Sequence, residues 1–502
     1  MENQMNNQAG TPSDLTPEYG AEQFDVIFRH GEVIDGSGAE RFCADVAIRD
    51  GKIAAMGDLS HAYAKQEFDI RGKILSPGFI DVHTHDDRAC IDKPEMLPKI
   101  SQGVTTVIVG NCGLSLAPMA HPDSLPEPLN LLGQAKDFIF PDFPAYIDAV
   151  NQAKPAINVA ALVGHNTLRV VAMQDLSGAA SEAELAAMTD MLAAALEAGA
   201  IGMSSGVYYR PGQGANLHEL TTLAKVVGNA GGVYTSHIRD EYDDILASLQ
   251  EAFTTAAEGK VPLVISHHKC AGVQNWGRTK QTLPFIDQAR EHQTIHMDCY
   301  PYRAGSSVLD PALVDNKIDI MVTWSEPFPD MGGRFLHDIA DQWQCSQKEA
   351  AERLVPGGGC FFQMHEEDVQ RVLSHPATMV GSDGLPNDPH PHPRLWGAFP
   401  RVLGHYAREL KLFSLEQAVH KMTGLSASQF QLGQRGLVKP GYEADLVVFD
   451  PAAVIDKATF ESPCQFAAGI EYVCVNGVLG WQQGQPTEQR AGRFIHRNAN
   501  NL

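Results

Sequence analysis

Short apolar segments and helical stretches alternate regularly through the middle of the chain, and this alternation constrains the fold more than any other feature. Eight strand candidates recur, at residues 79–82, 105–109, 159–163, 201–204, 232–236, 263–266, 295–299 and 378–381. The clearest helix between them spans 181–198 and opens with Ser181 and Glu184 at capping-box spacing. Strands that alternate with helices imply a parallel sheet. Eight such repeats predict an α/β fold, a (β/α)8 barrel over residues 78–435.

A doubly wound open sheet is the alternative arrangement for this pattern. That fold would place a glycine-rich phosphate-binding turn directly after an early strand. No glycine pattern of this kind stands in the required position. The sequence therefore favours the closed barrel.

Both ends of the chain predict a second, smaller unit made of β-strands. Residues 24–78 contain short strand candidates separated by turn signals such as Asp50-Gly51 and Gly57-Asp58. Strand candidates of the same kind return at 444–450 and 472–477. We therefore expect a small β-sandwich domain built from residues 23–77 and 436–490. Residues 1–22 are polar and lack the basic start and apolar core of a signal peptide, so we expect a disordered leader there.

One interval within the barrel is much longer than the others. About 78 residues separate Cys299 from Thr378, whereas a βα unit needs roughly 30. The interval predicts an insertion at about 301–363 over the mouth of the barrel. Long inserted loops in compact domains often act as lids, and we expect a lid here.

Composition excludes several classes of partner. The chain carries 38 basic and 61 acidic residues, a net charge of −23 without a long Lys/Arg run, which argues against nucleic acid and anionic membranes. No stretch approaches the ~18 uninterrupted apolar residues of a membrane span. The nine cysteines are scattered and odd in number, and no export signal precedes them. We therefore expect reduced thiols and a cytoplasmic location.

Metal-ligating residue types follow several of the predicted strands. In a (β/α)8 barrel the carboxyl ends of the strands converge on one face, where function resides. Imidazole, thiolate and carboxylate are the usual zinc ligands, and ligands from distant strands are typical of open catalytic sites rather than closed structural ones. Within an extended segment, the alternate residues of a His-x-His pair point to the same side. The residues concerned are His83, His85, Cys112, His237, His267 and Asp383.

Six segments of the chain are distinctive, together with the strand-end Asp383: GFIDVHTH (78–85), GVTTVIVGNCG (103–113), SSGVYY (204–209), HIRDE (237–241), SHHK (266–269) and GYEADLVVFD (441–450). On these residues the sequence resembles the amidohydrolase superfamily and, within it, the D-aminoacylase (N-acyl-D-amino-acid deacylase) branch. The resemblance covers about residues 25–485. Cys112 makes it specific, because many amidohydrolases bridge their metals with a carbamylated lysine and this branch uses a cysteine.

The resemblance implies a role for each candidate residue. Cys112, His237 and His267 match the ligands of a tightly held Zn2+, and His83 and His85 match a second, weaker metal position. Asp383 matches the aspartate that carries the proton. The residues that match substrate contacts are Lys269, Tyr300 and Arg394, which would hold the substrate carboxylate, and Tyr209. The implied activity is zinc-dependent hydrolysis of the amide bond of N-acyl-D-amino acids, which are small-molecule substrates.

Three other functions could be carried by a barrel of this kind. A cyclic-amide hydrolase of the hydantoinase or dihydroorotase kind is disfavoured by Cys112 and by Met203-Ser-Ser at the fourth strand, where no bridging lysine stands. A catalytically inactive scaffold would not need Asp383 and a full ligand set. An N-acyl-D-glutamate or N-acyl-D-aspartate deacylase would want additional cations from the insertion. Residues 303–314 offer Arg303 but are otherwise short of cations, so we expect neutral or hydrophobic D-amino acids.

Overall fold

The centre of the molecule is a barrel of eight parallel strands. The computed structural model describes residues 23–497, so the expected leader at 1–22 lies outside the described residues. Each strand pairs with its neighbour in chain order, and a parallel bridge between Thr84 and Gly384 joins the first strand to the eighth. All eight predicted strands and the α/β barrel are confirmed. The strands are Phe79–Asp81, Val104–Val109, Asn158–Gly164, Gly202–Gly206, Val233–His237, Leu263–Ile265, Ile295–Cys299 and Thr378–Val380.

Helices follow the barrel strands and cover the outside of the barrel. Ser181 caps the helix Glu182–Ala198 through the reciprocal bonds with Glu184 that the sequence predicts. The other helices of the barrel are Ala89–Asp92, Leu97–Ile100, Phe143–Ala153, His165–Ala172, Arg210–Gln213, Leu217–Asn229, Ile245–Gly259, Thr279–Arg290, Glu366–Ser374, Arg394–Arg401, the π-helix Val402–Glu409, Leu415–Met422 and Gly424–Gln429. No helix between residues 23 and 497 combines the length and apolar character needed to cross a membrane.

Both ends of the chain meet in one nine-stranded sheet outside the barrel. The late strand Leu446–Phe449 pairs antiparallel with the early strand Ile74–Pro77. Asp50 and Gly51 turn between two of the early strands with φ of 52° and 77°, the left-handed values that a tight hairpin turn requires. The remaining strands are Gln23–Val33, Phe42–Arg49, Lys52–Gly57, Tyr63–Asp69, Ile470–Val475, Val478–Gln482 and Gln485–Pro486.

The long segment after the seventh barrel strand contains a small sheet of its own. Its three antiparallel strands are Gly305–Val308, Ile320–Ser325 and Gly357–Phe361, with the last in the middle. The helices Leu336–Trp343 and Gln347–Leu354 pack on this sheet around an apolar cluster separate from the main core. The segment therefore has a core of its own and is not an irregular loop.

A buried lysine joins the first and eighth strands of the barrel. Lys99 Nζ lies 2.8 Å from Asp81 Oδ2, 3.2 Å from Asp86 Oδ2 and 2.7 Å from Ser382 Oγ. Asp81 Oδ1 also accepts the backbone N–H of Ser382 at 2.8 Å. The lysine and both aspartates are buried, so each charge is stabilised by its neighbours rather than by water.

Replacing this lysine should destabilise the fold. Lys99→Met keeps the length of the side chain but leaves Asp81 and Asp86 buried without their cation. Breaking a buried ion pair in this way costs on the order of 3–5 kcal/mol. We expect a lowered midpoint of thermal unfolding. Lys93→Met is the matched control, because Lys93 is exposed and its Nζ donates to the Pro386 carbonyl rather than to a buried carboxylate. Equal midpoints in the two variants would contradict the prediction.

Candidate active site

The six strand-end residues predicted from the sequence lie together at the carboxyl end of the barrel. Two groups of ligand atoms form, each with all members within 4.8 Å of one another: His83, His85, Cys112 and Asp383 make one, and Cys112, His237 and His267 make the other. Cys112 Sγ belongs to both groups, and it lies 3.2 Å from His83 Nε2 and 3.3 Å from His267 Nε2. The structure therefore brings the candidate ligands into two adjacent groups that share the Cys112 thiol.

Three of these residues occupy a left-handed backbone conformation. The φ values are 55° at Cys112, 36° at His267 and 50° at Asp383. A non-glycine residue in this region costs of order 1–3 kcal/mol and persists only where surrounding structure enforces it. Each of the three lies two or three residues beyond the end of a barrel strand. The sharp change of backbone direction turns its side chain into the cluster.

Carboxylates behind the cluster orient two of the histidines. Asp298 Oδ2 lies 3.2 Å from His83 Nδ1. His267 Nδ1 faces Glu241 Oε1 at 3.0 Å and Lys269 Nζ at 2.8 Å. Each contact leaves the Nε2 atom facing Cys112, as is usual for histidines that bind a metal. Burial opposes ionisation of Cys112, but His83 and His267 hold the pKa of its thiol well below the usual range. The site therefore favours the thiolate, which is the form that binds metals.

His237 has no hydrogen bond that would satisfy its ring. Both nitrogens are buried and lack a partner among the described residues. The ring is held by aromatic contacts instead, with centroids 5.3 Å from Tyr208, 4.8 Å from Tyr209 and 4.4 Å from His267. Burial and the neighbouring His267 lower the pKa of His237, which favours the neutral imidazole. A buried, neutral and unpartnered imidazole next to a thiolate fits a metal ion such as zinc.

A cavity of about 690 Å³ opens above the cluster. Its floor includes His85, His237, His267 and Asp383, and three predicted substrate contacts, Tyr209, Lys269 and Tyr300, line it. The long segment after the seventh strand supplies one wall, through residues 305–313, 355, 356, 361 and 363. A groove of about 780 Å³ on the terminal sheet is larger, but none of the candidate residues lines it. The chemistry therefore belongs to the cavity at the barrel mouth.

Lys269 and Arg394 are already paired with acidic residues of the site. Lys269 Nζ lies 2.7 Å from Glu241 Oε1, and Arg394 Nη1 lies 2.9 Å from Asp383 Oδ2. The Arg394 contact is an ion pair whose N–H is not aligned for a hydrogen bond. Arg394 also stacks 4.5 Å from the centroid of the Tyr300 ring, and it is not among the residues that line the cavity. The structure thus brings Arg394 against two lining residues rather than into the open space.

Asp383 lies between the two histidines of the first strand and Arg394. Its Oδ1 atom is 3.2 Å from His85 Nε2 and 3.5 Å from His83 Nε2. Burial alone would raise the pKa of this carboxyl, but Arg394 and His83 hold it well below its usual range. This direction favours the ionised form of the Asp383 carboxyl.

Sequence reasoning missed two carboxylates that contact the cluster, Glu241 and Asp298. Glu241 stands four residues after His237 in a quoted motif, and Asp298 is a charged residue inside a buried strand. Either feature could have been taken as a signal. His267 faces the cluster, whereas His268 Nε2 lies 2.9 Å from Thr282 Oγ1, outside it.

The chain belongs to the amidohydrolase family, whose model matches residues 66–300 and 345–479. The resemblance to this superfamily found in the sequence is thereby confirmed. A D-aminoacylase from Alcaligenes xylosoxydans xylosoxydans is 48% identical over 95% of this chain and 99% of its own length. An N-acyl-D-glutamate deacylase from the same organism is 47% identical over 95% of this chain and 98% of its own.

A solved structure with the same fold contains a metal and an inhibitor. It is an N-acyl-D-glutamate deacylase from Bordetella bronchiseptica, complexed with zinc and a phosphonate inhibitor that mimics the tetrahedral intermediate of the reaction. Its TM-score to this structure is 0.92 at 48% identity, covering 95% of this chain and all of the other. The likeness extends over the terminal sheet, the barrel and the long segment alike.

Proposed function

We propose that this protein is a zinc-dependent N-acyl-D-amino-acid deacylase that hydrolyses the amide bond and releases a carboxylate and a free D-amino acid. The observation that carries the proposal is the buried cluster of one thiol, four imidazoles and one carboxylate, of which His85, His237, His267 and Asp383 line the cavity at the barrel mouth. The two curated relatives described above, both deacylases of N-acyl-D-amino acids by name, support the same activity.

Cys112, His237 and His267 would hold the tightly bound zinc, and His83 and His85 would offer a second, weaker position beside the shared thiolate. Zinc polarises a carbonyl and lowers the pKa of a coordinated water, which is the chemistry that amide hydrolysis needs. Glu241 and Asp298 orient His267 and His83 for this purpose. Asp383 Oδ1 would take a proton from the attacking water and return it to the leaving amine.

The substrate carboxylate would be held by Lys269, Tyr300 and Arg394. Lys269 Nζ lies 5.9 Å from the centroid of the Tyr300 ring, and Arg394 packs on the same ring. Lys269 and Tyr300 line the cavity, and Arg394 lies behind them against the Tyr300 ring. An α-carboxylate bound there would fix which face of the substrate meets the metal site, and hence the D configuration.

Neutral or hydrophobic side chains suit the rest of the cavity better than acidic ones. Among the lining residues four are Asp or Glu and only two are Lys or Arg. One of those cations, Lys269, is already paired with Glu241, and the other, Arg210, is exposed at the rim. The wall facing the cluster is largely apolar and contains Val308, Leu309, Leu313, Val355 and Phe361.

A substrate panel tests the proposed activity and its preference. N-acetyl-D-leucine should be hydrolysed with a kcat/KM at least about tenfold above that of N-acetyl-D-glutamate, a difference of ~1.4 kcal/mol. N-acetyl-L-leucine and a hydantoin should remain uncleaved. The measurement is release of free amino acid by purified zinc-loaded enzyme. A preference for the glutamate compound would reverse the assigned specificity, and turnover of the hydantoin alone would overturn the activity.

Arg394→Lys should weaken substrate capture although it keeps the charge. Lysine lacks the planar fork that grips a carboxylate in bidentate fashion. A charge-assisted hydrogen bond is worth roughly 1.5–3 kcal/mol, so kcat/KM should fall about 10- to 150-fold. The loss should largely vanish for a substrate whose carboxylate is a neutral amide. Equal losses on acid and amide substrates would show that Arg394 acts through its ion pair with Asp383 instead.

We also place the enzyme in the cytoplasm. All nine cysteines are free in the structure, including the exposed Cys43 and Cys464. Reduced thiols of this number suit a reducing compartment.

A further inference from the structure

The turn that carries Cys112 is closed by a side chain from another strand. The turn runs from Gly110 to Gly113, and three of its four residues have left-handed φ values: 79° at Gly110, 55° at Cys112 and 77° at Gly113. A four-residue turn is often closed by a hydrogen bond from its last N–H to its first carbonyl. No such bond joins Gly113 N to Gly110 O in the structure of residues 23–497.

The Ser204 hydroxyl bonds both of the groups that the missing hydrogen bond would join. Its hydroxyl accepts the Gly113 N–H at 2.9 Å and donates to the Gly110 carbonyl oxygen. Ser204 lies within the fourth barrel strand, Gly202–Gly206, and is fully buried. The hydroxyl therefore stands between the two ends of the turn and ties both of them to the barrel.

The neighbouring backbone leaves the turn little room to shift toward the strands. A Cβ atom added to Gly206 would overlap the Cys112 carbonyl oxygen, and one added to Gly110 would overlap the Leu162 carbonyl oxygen. The turn is therefore wedged between the third and fourth strands at backbone contact distance. The Ser204 hydroxyl bonds both ends of the turn, and the backbone N–H of Thr167 also bonds the Gly113 carbonyl, at 3.2 Å.

We infer that Ser204 is a positioning residue for the metal site: its hydroxyl holds the Cys112 turn open and thereby sets the place of the thiolate between His83 and His267. The inference rests on the proposed function, in which Cys112 binds the tight zinc. Without the hydroxyl, Gly113 N and Gly110 O lose their buried partner and can pair with each other. The turn then tightens, and the Cys112 sulfur leaves the position that both metal sites share.

Ser205 provides a matched control on the same strand. It is equally buried, and its hydroxyl lies 2.7 Å from Tyr234 Oη and 3.2 Å from Ser236 Oγ. Neither contact involves the Cys112 turn or a candidate ligand. Ser205→Ala and Ser204→Ala therefore each remove one buried hydroxyl, and only Ser204→Ala removes the two hydrogen bonds to the Cys112 turn.

The test compares zinc retention in wild type, Ser204→Ala, Ser205→Ala and Cys112→Ala. Zinc transfer to an excess of a colorimetric chelator should be about 10- to 100-fold faster in Ser204→Ala, the usual effect of losing a group that supports a metal ligand. Ser205→Ala should match wild type. In cobalt-substituted protein, the thiolate-to-cobalt absorption band should shift in Ser204→Ala and stay unchanged in Ser205→Ala.

Each outcome bears on a different statement. Equal transfer rates and equal cobalt spectra for the two serine variants would overturn the role of Ser204 while leaving the proposed function intact. Full zinc content in Cys112→Ala would overturn the ligand assignment and the role of Ser204 with it. A faster transfer that Ser205→Ala shares would mark general loosening of the strand, and this too would overturn the inference. The midpoints of thermal unfolding should be similar for zinc-free Ser204→Ala and zinc-free Ser205→Ala.

Discussion

Cys112→Ala is expected to lose the tightly bound zinc and nearly all deacylase activity. The thiol belongs to both groups of candidate ligands, with His83 and His267 within 3.3 Å of its sulfur. Alanine removes the thiolate that the two groups share, and the imidazoles of His237 and His267 alone remain in the group proposed to hold the tight zinc. Zinc content per chain, measured on protein dialysed against metal-free buffer, is the direct test.

Two further variants make this result specific. Cys90→Ala removes another fully buried thiol, one that contacts the Asp87 carbonyl and Tyr146 rather than the cluster, and it should keep zinc and activity. His83→Ala should lose less tight zinc than Cys112→Ala, because His83 belongs only to the weaker position. Zinc retained in Cys112→Ala would remove Cys112 from the ligand set. Equal zinc loss in Cys112→Ala and His83→Ala would refute the ranking of the two positions.

The sequence was sufficient to predict the barrel and the meeting of its ligands. Most barrel strands are buried segments rich in apolar residues. Parallel strands place their carboxyl ends on one face, so residues such as His83 and Asp383 converge although 300 positions separate them. The helix cap at Ser181 and the hairpin at Asp50-Gly51 are local, and each depends on a few neighbouring residues. Local and periodic signals of this kind can be recognised in a single sequence.

Other features depend on contacts that no local pattern encodes. Gly357-Gly-Gly359 is typical of a loop, yet it lies in the central strand of the inserted sheet because strands flank it on both sides. At Gly358 an added Cβ would overlap the Trp324 ring, which explains the need for glycine there. The pairing of Arg394 with Asp383 is a similar case, since it needs the loop after the eighth strand to fold back on the strand end. Residue type alone does not predict contacts between residues that are far apart in the sequence.

Asp383→Asn is expected to keep zinc and lose turnover. Asparagine nearly preserves the shape of the side chain, but it cannot accept the proton of the attacking water at neutral pH. General acid–base catalysis is usually worth about 10²–10⁴-fold, and kcat should fall by that factor while KM changes little. The substitution also leaves Arg394 without its counter-charge, so lowered thermal stability should accompany the loss.

Arg394→Lys separates the two effects, because it alters the same ion pair and leaves the carboxylate in place. If Asp383 is the proton carrier, Asp383→Asn lowers kcat far more than Arg394→Lys does at equal zinc content. Zinc loss in step with activity would instead make Asp383 a metal ligand, and an unchanged kcat would end its assignment as the proton carrier.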